Sequence, residues 1–138
     1  MSDENKHIVK KAFDAINRGD AANLTASVDP KLHKSFETAF HAARSGFKDM
    51  KLEILDLIAE GDKVVARWAM QGTHTGEAPY AHLGTVKATH KPVRVSGITI
   101  LQISGGKVIN TWGETGELGG LLQLGLMDQY AKAVHHVR

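Results

Sequence analysis

Two stretches of the chain carry the residue types that do chemistry. GTHTGE, Gly72 to Glu77, brings a histidine and a carboxylate together at the end of an alternating strand. NTWGETGELGG, Asn110 to Gly120, runs a strand into a glycine-rich turn and carries Glu114 and Glu117. An imidazole and a carboxylate at one cavity rim can shuttle protons. His74 with Glu77 reads either as such a pair or as a turn whose histidine caps backbone groups. Glu114 falls on the strand face opposite Gly113, alongside Trp112, unless a bulge in the glycine-rich end turns Glu114 or Glu117 inward. His33 and His41 bracket a helix, and either one, facing a cavity, would be a base with a pKa already near neutrality. Arg67, mid-strand between apolar neighbours, is an exposed sheet-face residue or an anion anchor.

The remaining histidines carry no metal signature. There are 8 in all (His7, His33, His41, His74, His82, His90, His135 and His136), none at HExxH spacing. Cysteine is absent, which removes disulfides, thiolate zinc sites and cysteine nucleophiles together and suits a reducing compartment. The expectation is no metal site.

Bulk properties narrow the partners. The 138 residues fit one domain, 1–138, with 126–138 as a C-terminal tail. With 17 Lys and Arg against 15 Asp and Glu, the net charge is +2, too little and too dispersed for a nucleic-acid footprint. MSDENKHIVKKAF lacks the apolar core of a secretory signal, and no apolar run approaches the roughly 20 residues of a membrane span. A cytoplasmic protein that engages neither nucleic acid nor membrane is expected.

The elements that must position these groups follow from periodicity. Ile8, Val9, Ala12, Phe13 and Ile16 recur at helical spacing from Ser2 to Arg18, with Gly19 as the stop. Asp20 to Ser27 reads as a short helix ended before Asp29-Pro30, and Lys34 to Ser45 as a third closed by Gly46. The period then changes to two. Met50 to Glu60 and Lys63 to Gly72 read as a hairpin through Gly61-Asp62. Pro92 to Ile103 and Lys107 to Thr115 read as a second hairpin through Gly105-Gly106. Ala78 to Lys91 is irregular, Leu118 to Leu124 a short helical turn, and the tail from Met127 helical. Helices followed by an antiparallel meander predict an α+β fold, a curved sheet wrapped around N-terminal helices into a cone with a ligand cavity at its open end. Val93, Val95, Leu101 and Ile103 share one strand face, and Ile98 and Ile100 the other. A strand apolar on both faces predicts a second copy against the sheet, as a homodimer or a higher oligomer.

Taken together, AEGDKVVARWAMQGTHTGE, PVRVSGITILQISGGKVINTWGE and LLQLG resemble the SnoaL-like polyketide cyclase (ester cyclase) family, over about His7 to Gly125. DPKLHKS, Asp29 to Ser35, is similar to the family's helix-exit stretch ending in a histidine, here His33. The resemblance implies the cone-shaped α+β barrel of nuclear transport factor 2, limonene epoxide hydrolase and ketosteroid isomerase. It implies a cofactor-free intramolecular aldol closure on a small hydrophobic, aromatic or polyketide-like carbonyl compound. An apolar pocket brings an enolate to a ketone. The family's base is commonly an aspartate just after the last strand's tryptophan, assisted by a histidine just before it. Here those positions are Gly113 and Thr111, and a further acidic position falls at Gly116. His74, Glu114 and His33 are therefore the candidate catalytic groups. Phe36, Phe40, Trp68, Thr111, Trp112 and Gly113 are the candidate ligand-binding residues. Three functions stay open: an acid–base enzyme of this class, a catalytically altered binding module for a small apolar ligand, and the monooxygenase-like or hydrolytic chemistry that some relatives perform with other residues.

Overall fold

The computed structural model describes residues 2–80 and 83–136. Three helices come first: α1 (Ser2–Arg18), α2 (Ala21–Ala26) and α3 (His33–Gly46), with a single 3-10 turn at Pro30–Leu32 before α3. Asp20 caps α2 by accepting from the Asn23 N–H, and Asp29 caps the 3-10 turn by accepting from that of Lys31. Gly19 supplies the positive φ that ends α1.

The strands follow as β1 (Lys51–Glu60), β2 (Lys63–Thr73), β3 (Ala78–Pro79), β4 (Thr85–Val86), β5 (Pro92–Ser104) and β6 (Lys107–Thr115). Two helices, α4 (Glu117–Leu124) and α5 (Met127–His136), close the chain. The main sheet is antiparallel in the order β1-β2-β5-β6, while β3 and β4 form a small ladder of their own. That ladder lies inside the stretch expected to be irregular. The tail from Met127 is helical, as its spacing predicts, and Met127 and Tyr130 pack on the main core cluster.

Bulges interrupt the register between Ile54 and Asp56 on β1 and between Gln102 and Ile103 where β5 meets β6. Such interruptions sharpen the local twist, and the sheet curves around the helices. The helices pack on its concave face alone, with Val9 of α1 and Val28 joining Val64, Ala66, Leu101, Ile103 and Val108 in one buried cluster. Asn17 ties α1 to the edge of the sheet, donating to the Leu52 carbonyl at 2.8 Å and accepting from the Leu52 N–H at 2.7 Å. At the other edge, Asp29 N–H donates to the Val108 carbonyl and Val108 N–H to the Ser27 carbonyl, both at 2.9 Å. Both outer strands are thus partly covered by backbone or side-chain partners.

The convex face is different. Ile58 pairs with Val65, Val65 with Ile100, and Ile100 with Trp112, so one apolar row crosses all four strands. Ile58 is 62% exposed and Trp112 47%. Arg67 is on this face as well, donating from Nε to Asp56 at 2.6 Å, which makes it a surface ion-pair residue and not an anion anchor inside the cone. No helix among the described residues is long and apolar enough to cross a membrane.

Candidate active site

A cavity of about 620 Å³ opens between α3 and the concave face of the sheet. Its walls are largely apolar: Ala42 and Ala43 of α3, Phe47, Met50, Leu52, Trp68, Met70 and Val95. Four residues with titratable side chains border it: His74, Tyr80, Glu114 and Glu117.

His74 is held by the turn that GTHTGE makes. Its backbone N–H donates to the Lys91 carbonyl at 3.0 Å, and its carbonyl accepts from the His90 N–H at 2.8 Å. The next two N–H groups, of Thr75 and Gly76, both donate to the Gly46 carbonyl at the end of α3, at 3.0 and 3.1 Å. Gly76 is required by space, since a Cβ there would collide with the Ser45 carbonyl oxygen and lie 2.9 Å from its carbon. Upstream, Asp49 accepts from the Thr73 N–H at 2.8 Å, a bond that also holds its carboxyl below the usual range. The residue before His74 and the two after it are therefore all anchored.

The ring itself is 1% exposed and stacked at a tilt on Phe47, with centroids 5.2 Å apart. Its Nδ1 accepts from the Thr89 backbone N–H at 3.1 Å and lies 3.0 Å from the Thr89 hydroxyl. A backbone N–H can only donate, so Nδ1 carries no proton and the neutral ring carries it on Nε2. His74 lines the cavity, and among the described residues no hydrogen-bond partner takes Nε2. Burial lowers the His74 pKa, and the charge of His90 lowers it further. The cavity therefore receives a neutral imidazole with an N–H to donate. His74 both caps a backbone group, through Nδ1, and borders the cavity.

Tyr80 stands 6.5 Å from His74, centroid to centroid, with its hydroxyl over Gly120, where any Cβ would collide with it. Burial raises the phenol's pKa and the charge of Glu117 raises it further, so it too is a proton donor at neutral pH. Glu117 reaches the cavity because it opens α4, directly after β6 ends at Thr115. The β6 register shift lies at the opposite end of the strand, so a helix start and not a bulge brings Glu117 here.

Glu114 pairs with Ile98, whose side chain is exposed, and strand alternation sends its carboxylate to that outer face while its backbone borders the cavity. The same alternation puts Trp112 on the convex face, away from the cavity where ligand contact was expected of it. Gly113 does line the cavity, and a Cβ there would sit 3.3 Å from the Thr99 hydroxyl. Trp68 lies across Gly97 and donates from its indole N–H to that hydroxyl at 2.9 Å. Phe36, Phe40 and Thr111 line a neighbouring cavity of about 410 Å³. His33 is engaged elsewhere, with Nε2 2.8 Å from the Val28 carbonyl, and borders neither cavity. His41 is exposed and edge-on to Phe40. Glu77 is exposed and outside the cavity lining. His82 lies outside the described residues, as do the side chains of His135 and His136. Among the described residues no three His, Asp or Glu side chains converge as a metal would require.

The chain belongs to the SnoaL-like polyketide cyclase family, whose model matches residues 6–124. Solved structures show the same fold. TsrD from Streptomyces laurentii is 26% identical, with a TM-score of 0.82 over 91% of this chain and 98% of that one. AclR from Streptomyces galilaeus, a candidate hydroxylase, is 23% identical, with a TM-score of 0.81 over 91% and 87%. IdmH from Streptomyces antibioticus, a candidate polyketide cyclase, is 19% identical, with a TM-score of 0.76 over 88% and 98%. No functionally curated protein matches the chain.

Proposed function

We propose that the protein performs cofactor-free acid–base chemistry on a small hydrophobic carbonyl compound. His74 donates its Nε2–H to the carbonyl oxygen, and Glu117 removes a proton from the adjacent carbon. The donor stabilises the negative charge that develops on oxygen as the carbon loses its proton. The apolar walls fold the substrate so that the enolate carbon meets a second carbonyl, as a cyclase requires. Tyr80 is a second donor on the same wall. The observation that carries this reading is the His74 ring, buried at the cavity wall and pinned at Nδ1 by the Thr89 N–H, which leaves Nε2 as the nitrogen that bears the proton. On this reading His33 and Glu114 take no part in the chemistry.

One observation favours the alternative of a binding module. Gly113 lines the cavity where the family resemblance calls for an aspartate, and Thr111, two residues before it on β6, stands where the resemblance calls for a histidine and carries no proton-transfer group. Exchange at a carbon acid separates the two. With 2-tetralone, a flat hydrophobic ketone, in heavy water, the enzyme reading expects the protein to accelerate α-hydrogen exchange followed by NMR. His74→Ala and Glu117→Gln should each slow it at least about tenfold. Binding of 2-tetralone with exchange at the buffer rate would favour the binding module.

The proposal extends to the assembly. A second copy of this chain covers the convex face, supported by the apolar row that runs from Ile58 to Trp112 across the sheet.

A further inference from the structure

The second cavity differs in chemistry from the first. Ile16, Leu24, Phe36, Phe40 and Thr111 line it, and none of its lining residues has a titratable side chain. Its two hydroxyls are those of Ser35 and Thr111, and Ser35 donates to the Leu32 carbonyl at 3.0 Å. Such a space takes hydrocarbon and offers a charged or strongly polar ligand nothing to pair with. Three residues, Ala43, Met50 and Leu52, line both cavities. The partition is therefore a methyl group, a thioether and an isobutyl group, with no polar side chain along it. Methionine is the most easily rearranged of large apolar side chains, so a chain of methylenes can pass Met50 without breaking a hydrogen bond.

We infer that the two cavities form one elongated site. The first holds the carbonyl head of the ligand against His74, and the second holds an apolar tail borne by the same molecule. This inference rests on the acid–base reading of the first cavity, and it narrows the substrate class from a compact ring system to a carbonyl compound with an alkyl or similarly slender apolar extension. The volumes agree with that division: about 620 Å³ for the head and about 410 Å³ for the tail. Thr111, next to the exposed Trp112 on β6, would then contact the tail and not the reacting carbon.

A series of 4-alkylphenols from methyl to octyl tests this on the full chain, with the phenol oxygen standing in for the enolate oxygen. Dissociation constants are read from quenching of Trp68 fluorescence and confirmed by calorimetry. Each methylene taken from water into an apolar space is worth about fourfold in affinity, so octyl should bind at least about a hundredfold more tightly than methyl. Thr111→Phe fills the second cavity from the strand side and Ala39→Leu from the helix side. In each, the octyl-to-methyl ratio should fall to about tenfold or less. A wild-type ratio near one, or a ratio that both variants leave intact, overturns the tail site. His74→Ala reads the head separately. If it leaves the affinity of every phenol unchanged while the chain-length dependence persists, the head assignment fails and the tail site stands. Failure of every phenol to bind overturns both.

Discussion

Gly76→Ala tests whether the GTHTGE turn is what presents His74 to the cavity. Gly76 has no positive φ, so alanine can adopt its backbone angles, and the cost is purely one of space. The new Cβ collides with the Ser45 carbonyl oxygen, which is backbone at the end of α3 and cannot swing aside as a side chain would. The turn must lift, and it loses the bonds from the Thr75 and Gly76 N–H groups to the Gly46 carbonyl. Two hydrogen bonds at about 1 kcal/mol each, plus residual crowding, give a loss of about 3 kcal/mol. For a domain of this size that lowers Tm by roughly 10 °C. Thermal unfolding by circular dichroism measures the loss, and 15N NMR of the His74 ring reports whether Nδ1 still accepts from Thr89. A variant melting within about 2 °C of wild type, with the ring signal unmoved, would refute the claim that this contact holds the turn.

Three further outcomes are expected. Because burial lowers the pKa of His74 below its ordinary 6.5, the unfolded chain binds this proton more readily than the folded one. The contribution of His74 to stability is therefore full above about pH 6.5 and is lost as pH falls through the lower folded value; urea unfolding at stepped pH should show that decline, and His74→Phe should flatten it. Gly97→Ala puts a Cβ 2.5 Å from the Trp68 ring and 2.8 Å from the Glu114 carbonyl oxygen, so it should cost about 1–3 kcal/mol and shift the near-ultraviolet dichroism of Trp68; an unchanged spectrum would mean that the indole does not rest on Gly97. Ile58→Lys, at the β1 end of the convex row, should convert a dimer to a monomer in light scattering, and a wild-type protein already monomeric at high concentration would remove the proposed partner.

The fold was legible where local chemistry agrees with the tertiary outcome. Gly19, read as the stop of the first helix, ends α1 at positive φ, as helix-stop glycines do. The alternation in β5 separated Val93, Val95, Leu101 and Ile103 from Ile98 and Ile100 as the pleat does, whereas Arg67 of β2 was left open between surface and cavity, and its pairing with Asp56 places it outside. The same alternation, applied to β6, puts Trp112 outside because Gly113 faces in; Trp112 was a candidate ligand contact, and its position in the pleat decides otherwise. Tyr80 gave no signal, because it sits in a segment without periodicity whose path is set by long-range bonds such as His74 to Lys91. Glu117 depends on where β6 ends and α4 begins, a boundary that hydrophobic period locates only to within a few residues. The protonation of His74 could not be read from its neighbours in sequence, since Thr89 lies in a distant, irregular stretch.

The account turns on which nitrogen of His74 carries the proton. Long-range 1H–15N correlation of the imidazole in the whole protein at pH 7, assigned by comparison with His74→Gln, reads this directly. The structure predicts a neutral ring protonated at Nε2, with Nδ1 unprotonated and hydrogen-bonded. On addition of 4-methylphenol the Nε2 proton should move downfield as it finds an oxygen acceptor. A ring protonated at Nδ1, or charged at pH 7, would contradict the assignment of His74 as the donor in the cavity.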